Sequence, residues 1–492
     1  MYVRKDRLWI IALGLFVVIE RLTQWFYQEA YSISGQLDPS YLEALTNHFW
    51  EYLCWFHTKP VGSLLVDKLL LEVVGSGQIV RTRFFLVSAL DGASVFFLFA
   101  IAIRCRINRL LAFLICVGWV GALNVFDFWR IGSHFDHFNV FLISAFSWSL
   151  LRYIQVHTIG WLAASTIGLL LFYAPAVALP VLLLPVFLLD RAPFRRRRLL
   201  SYFAAVGVAL FVLVGKNGYN VGGYSTSTVS AQNRIQFSYF MFGTDRLKQR
   251  IESGNYPDWF KWCSAYAASS GPEDRAHVRL IYGMCNRDAK EHYDYDSLRT
   301  YLAHNPNPEI LNAVDKDRLV LSTKPWLFAG GVPEMNSFFA MRLSQWSAKV
   351  WRDGLLEAPT LFFETLLKAS GFFYLQGPKF FQGRNYEPGM LDSVVWSAPN
   401  AKVLLIGNAM AMVWVMLGSP LVMLRIFSRR ALNPIILFVW TASFLLITIG
   451  MALNSMTCCE NHRMYVSVAP LALIVAMTTI GLAWNRLLRW FV

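Results

Sequence analysis

Charge is scarce in this chain. Only 15% of its 492 residues are Asp, Glu, Lys or Arg, whereas 56% are apolar and the mean hydropathy is +0.42. That balance excludes a water-soluble globular protein of this length. Other absences narrow the class. No CxxC or HExxH pattern occurs, so the common zinc motifs are missing. No internal repeat is visible, which argues against a transporter built from repeated halves. There is no low-complexity tract either. No Asn opens an Asn-x-Ser/Thr sequon, which leans toward a bacterial envelope protein. No small-x-small cleavage site follows the first apolar run, "LWIIALGLFVVIE" (Leu8–Glu20), so the run reads as a retained first helix and not a signal peptide. Of seven cysteines, Cys54, Cys263, Cys285, Cys458 and Cys459 fall in loops. Cys263 and Cys285 form a candidate disulfide if their side is oxidising. A bond between the adjacent Cys458 and Cys459 would be strained.

What is present is a series of runs approaching the roughly 20 apolar residues needed to cross a bilayer. They lie near 8–27, 84–103, 109–126, 138–153, 159–173, 175–190, 199–216, 402–424, 432–452 and 464–484. The fifth and sixth are short and hinge at "YAPAVALP", where Pro175 and Pro180 cannot sustain a straight helix. The expected fold is an all-α polytopic membrane protein with about ten transmembrane helices and a mixed or α-rich extracytoplasmic segment. The divisions are an N-terminal module (1–216) containing a first outer loop (28–83), an outer segment (217–401), and C-terminal helices (402–492). Within the outer segment, "DGLLEAPTLFFETLLKASGFFYL" (353–375) has the spacing of a helix lying in the membrane interface.

Charge sets the expected orientation. The loops assigned to the inside hold 17 of the 45 Lys and Arg, among them Arg4, Arg104, Arg109 and Arg195–Arg198, but only two acids, Asp6 and Asp190. The net charge of +14 therefore resides on one side. This asymmetry predicts N-in, C-in topology. It also explains the basic composition without nucleic acid. The "RRRR" at 195–198 reads as a topology anchor beside anionic lipid.

The outward loops carry the candidate chemistry. In the first, Asp38 begins "LDPSYLEAL" and "WFHTKPVGSLL" supplies His57 and Lys59. A carboxylate at the membrane edge can take the proton of a hydroxyl or amine acceptor. Cations beside it can hold a phosphate leaving group. Asp38 equally reads as the N-cap of a helix with Pro39 at its first position. The second loop, "FDFWRIGSHFDH", packs Arg130, His134, Asp136 and His137 between two apolar runs. These offer a phosphate or substrate contact (Arg130, His134), a divalent-metal site (His134, Asp136, His137), or an interfacial aromatic belt. In "CCENHRMYV", Glu460 and Arg463 precede the last run; Arg463 suits an anionic headgroup or anchors the helix end. Asp91, inside the second run, must pair or line a cavity. The favoured reading is a structural polar contact within the bundle.

Four stretches resemble the GT-C glycosyltransferases, relatives of the protein O-mannosyltransferases and of the lipid A aminoarabinose transferase. "LDPSYLEAL" resembles the acidic site of the family's first outer loop. "CWFHTKPVGSLL" resembles a His-x-x-Pro stretch after it. "KNGYNVGGYSTSTVSAQN" (Lys216–Asn233) resembles a Lys-Asn segment of uncharacterised bacterial members, and "ENHRMYVSVAPL" resembles the Glu-x-x-Arg of the last outer loop. Two features depart from the family: Asp38 is followed by Glu43 instead of an adjacent acid, and "KPP" is "KPV" at Lys59–Val61.

The resemblance implies an inverting glycosyltransferase of the bacterial inner membrane with its site facing the periplasm. Its donor would be a polyprenyl-phosphate sugar and its acceptor a glycan, lipid or protein. Asp38 would be the base, and Lys59 and Arg463 phosphate contacts. The alternatives are a surface-polysaccharide ligase or polymerase using Arg275, His277 or Arg279, a transporter or flippase of lipid-linked substrates, and a non-catalytic envelope assembly protein.

Overall fold

The computed structural model describes residues 4–29, 37–55, 61–123, 136–190, 193–222, 246, 249–256, 308–328, 338–364, 399–428, 430, 432–456 and 461–491. Among these, the regular structure is helical and no strand occurs. The ten apolar runs are mostly helical over their described residues. They correspond to α1 (Arg4–Glu29), α5 (Ile79–Arg104), α6 (Arg109–Leu123), α7 (Asp136–Val156), α8 (Ile159–Phe172), a broken stretch at 174–189, α11 (Arg195–Val221), α14 (Pro399–Phe427), α15 (Pro434–Met456) and α16 (Asn461–Phe491). The remaining helices are α2 (Pro39–Asn47), α3 (Phe49–Cys54), α4 (Gly62–Val74), α12 (Pro308–Thr323) and α13 (Phe338–Glu357).

The broken stretch consists of a 3-10 turn at Ala174–Ala178 and two short helices, α9 (Leu179–Leu182) and α10 (Leu184–Leu189). Each piece carries a proline in its first turn, where the missing N–H costs least. The chain restarts its helix at each one.

Among the described residues, four helices are long and apolar enough to cross a membrane: α5, α11, α14 from Leu404, and Ser467–Trp484 of α16. They divide into two kinds. The apolar stretches of α5 and α16 are 61% and 72% buried, and both helices pack on α7. Those of α11 and α14 are only 11% and 17% buried. Phe211, Val212, Met416, Leu417 and Leu424 on these helices are exposed, as are Leu8, Leu15 and Ile19 of α1. Apolar faces of this extent are consistent with a membrane protein.

A continuous apolar core, with Phe99, Trp119, Phe146 and Leu445 fully or almost fully buried, joins the helices, and close backbone approaches add to it. A Cβ added to Gly407 would collide with the carbonyl oxygen of Ala472, so only glycine lets α14 lie this near α16. Polar pairs stitch the helices together: Trp119 Nε1 donates to Ser94 at 3.2 Å, Trp414 Nε1 to Thr479 at 2.8 Å, and Asn139 Nδ2 to Ser467 at 3.3 Å. Asp91 is fully buried, and Arg21 of α1 lies 3.9 Å away. The expected intramembrane contact of Asp91 is thus with a helix 70 residues earlier in the chain.

Polar and ionic pairs gather at the helix ends. At one end Arg109 bonds Asp6, and Arg104 donates to Gln155 at 3.1 Å. There Asp190 gathers the Tyr153 hydroxyl at 2.7 Å, Arg198 at 3.1 Å and His157 Nδ1 at 3.2 Å. The opposite end carries α2, α3 and α4 together with α12 and α13.

Candidate functional site

Within the stretch read as the first outer loop (28–83), residues 37–55 and 61–83 are described and mostly helical. Pro39 fixes the first helical position of α2, and Asp38, whose backbone is non-helical (φ −51°, ψ 129°), caps it. Ser40 N–H donates to Asp38 Oδ1 at 2.9 Å, and the Ser40 hydroxyl donates to the same oxygen. Ala44 and Leu45 of α2 then bury against Tyr52 of α3 and Leu64 of α4. Of the sequence-predicted site residues, Asp38 is the one whose side chain lies within the described residues, and it does serve as an N-cap.

Beneath α2 lies a buried ionic cluster. Asp67 of α4 accepts from the Tyr41 hydroxyl at 2.7 Å on one oxygen. Its other oxygen accepts from Arg83 Nε at 2.8 Å and forms an ion pair with a second guanidinium nitrogen 2.7 Å away. Asp67 and Arg83 are 3% and 7% exposed, so this pair is withdrawn from water. Burial pushes the Asp67 carboxyl up, and Arg83 and Tyr41 pull it back. Burial, and then the charge of Asp67, drives Tyr41 well above its ordinary 10 and keeps it a phenol that can donate. Tyr41 lies three residues beyond Asp38. The cluster therefore ties the first turn of the Asp38 helix to α4 and to the membrane helix α5.

A second tie comes from α11. Lys216 Nζ donates to the carbonyl oxygens of Leu53, at 3.3 Å, and Trp55, while Asn220 Nδ2 donates to that of Cys54 at 2.6 Å. These are the carbonyls that end α3, left without intrahelical donors. A cation is the favoured partner at a helix C-terminus. The Lys-Asn segment noted in the sequence thus grips the chain immediately before 56–60, the stretch with His57 and Lys59.

The outer segment docks on the same platform. Lys324 pairs with Glu51 of α3, and Trp326 Nε1 donates to Glu51 at 3.1 Å. The His48 ring stacks on Trp326 with centroids 3.8 Å apart and planes 7° from parallel. The hydrogen bond from Lys324 holds the Glu51 carboxyl below its ordinary range. Asp317 of α12 accepts from the Phe338 N–H at 2.7 Å and so caps α13, whose Phe338 ring meets Trp55 edge-on. The stretch read as an interfacial helix at 353–375 begins inside α13, which starts earlier at Phe338; 359–364 is helical, and 365–375 lies outside the described residues.

The other candidates approach this end through their neighbours. Gly62, two residues past Pro60, lies so close to α8 that an added Cβ would meet the Leu171 carbonyl oxygen and the Phe172 ring at 2.6 Å. Phe172 stacks on Phe138 at 4.4 Å, in the first turn of α7 that begins at Asp136 and His137. Asn139 of the next position bonds Ser467, four residues beyond Arg463 in α16. The backbone that follows Lys59 and the starts of α7 and α16 therefore meet at one end of the bundle. His57, Lys59, Arg130, His134 and Glu460 lie outside the described residues, as do the side chains of Asp136, His137 and Arg463. Cys263, Cys285, Cys458 and Cys459 and the outer-segment Arg275, His277 and Arg279 lie outside them too. Among the described residues, no group of His, Cys, Asp and Glu is arranged to hold a metal.

Sequence reasoning missed Asp67 and Tyr41. The available signal was an acid in the otherwise apolar "GSLLVDKLLLEVV", a pattern that demands a partner. No protein-family model and no curated protein matches the chain.

Proposed function

We propose that this chain is an inverting membrane glycosyltransferase of the GT-C kind, with about ten membrane passages. In this reading the end rich in Arg104, Arg109 and Arg198 faces inside and the Asp38 end faces outside. The donor is a sugar on polyprenyl phosphate, reaching the site sideways from the bilayer. Asp38 takes the proton of an acceptor hydroxyl or amine as that atom attacks the anomeric carbon. The bond to phosphate breaks, and polyprenyl phosphate leaves with its electron pair. Cations from 56–60 and from the start of α16 balance its charge.

One observation carries the reading. Asp38 stands at the edge of a folded helical platform, and the platform shares its end of the bundle with the start of α7, the start of α16 and the Lys216 grip. The reading requires these stretches to share one end of the bundle, and the described residues beside them do. The Asp67–Arg83–Tyr41 cluster further supports it, since a buried ion pair contributes little net stability and is better suited to fixing geometry.

The test is to incubate the purified protein in liposomes with a panel of polyprenyl-phosphate sugars and candidate acceptors and to measure released polyprenyl phosphate. Release that survives Arg275→Ala, His277→Ala and Arg279→Ala is the expected result. Absence of release with every donor sinks the proposal, and loss of release in those three variants favours the polysaccharide ligase.

A further inference from the structure

Helix α4 is built inside out for a helix at a protein–water boundary. Its buried line contains Gly62, Leu64, Asp67 and Leu70. Its exposed line contains Leu65, Leu69 and Val73, which are 39%, 63% and 71% exposed. The helix thus hides its aspartate and displays its branched apolar residues, at i, i+4 and i+8 on one face. Water would favour the reverse. Lys68 and Glu72, paired at 2.5 Å, border that face, and Lys68 also lies over the Phe49 ring at 5.5 Å. A charged border along an apolar stripe suits a helix lying at the headgroup–acyl boundary, its long cation reaching toward the polar side.

The surroundings say what covers the stripe. α4 runs into α5 after four residues, and it packs against α5 and the end of α8, both apolar helices of the bundle. Phe85, in the second turn of α5, is partly exposed as well. The stripe is therefore level with the end of the apolar bundle and continues its outward face. We infer that Leu65, Leu69 and Val73 contact lipid acyl chains, so that α4 lies half-sunk in one leaflet as a monotopic helix. The occupant is the bilayer itself, not a protein partner. The buried Asp67–Arg83 pair is the counterpart of this arrangement: Asp67 turns to the protein while Leu65, Leu69 and Val73 turn away from it. If the proposed function is also right, α4 holds the Asp38 helix at the depth of the lipid phosphates.

The inference is tested without reference to any activity. The photoreactive residue p-benzoylphenylalanine is placed singly at position 69, 73 or 72 of the full chain, with thermal unfolding checked for each. The proteins are reconstituted in phosphatidylglycerol–phosphatidylethanolamine vesicles, irradiated and analysed by mass spectrometry. Phospholipid adducts at 69 and 73, several-fold above those at 72, are the expected result. Three results would each overturn it: a crosslink from 69 to another segment of the chain, a crosslinked dimer, or equal lipid labelling at all three positions.

Discussion

The Tyr41 hydroxyl donates to Asp67 at 2.7 Å, across 26 residues of sequence, and joins the helix that Asp38 begins to one rooted against the membrane bundle. Arg83 completes the cluster from α5. Removing Arg83 would strand a carboxylate away from water. Arg83→Ala should therefore cost about 3–5 kcal/mol, whereas Tyr41→Phe, which removes one hydrogen bond to a charged group, should cost about 1.5–3 kcal/mol. Thermal unfolding in detergent gives the ranking; an Arg83→Ala protein as stable as wild type would show that Asp67 is not held as described.

Lys216 and Asn220 should not be equivalent. Lys216→Met removes a charged donor from two helix-end carbonyls and should cost about 1.5–3 kcal/mol, while Asn220→Leu removes a neutral one and should cost about 1 kcal/mol. Hydrogen exchange should also speed up at residues 53–55 in Lys216→Met before it changes in the bundle. Unaltered exchange there would mean that Lys216 does not anchor α3.

The outer segment's docking should depend on pH through Glu51. Its folded value lies below the ordinary 4.5, so folding favours the charged carboxylate. That contribution is complete above the ordinary value and fades as pH falls through the depressed one. The melting advantage of wild type over Glu51→Gln should thus be largest near neutrality and shrink in acid. A gap that widened in acid would contradict the pairing with Lys324.

Gly407 should tolerate nothing larger. Gly407→Val drives a side chain into the Ala472 backbone, whereas Gly207, which has no atom within 4 Å of a built Cβ, makes the control. Gly407→Val should lose folded protein on purification, and Gly207→Ala should gain about 0.4–1 kcal/mol. Equal melting temperatures for the two would refute the close approach of α14 and α16.

What could be read from the sequence follows from the range of the interactions involved. The apolar runs, the breaks at Pro175 and Pro180 and the cap written in "LDPS" are local, and all are present in the structure. The partners of Asp67, Asp91 and Glu51 lie 16 to 275 residues away, beyond any spacing rule. The start of α13 at Phe338 was hidden for the same reason, because its cap is Asp317 of another helix. For the candidate site, the sequence indicated which stretches to examine. Their meeting at one end depends on contacts such as Phe138 with Phe172 that composition does not encode.

Asp38 allows the most direct test, because its two roles respond differently to one substitution. Asparagine caps a helix about as well as aspartate, but it cannot take a proton. Asp38→Asn should melt with wild type yet release polyprenyl phosphate about 100-fold or more slowly, with donor KM little changed. An Asp38→Asn protein that turns over at the wild-type rate would leave Asp38 as a helix cap alone and contradict the account.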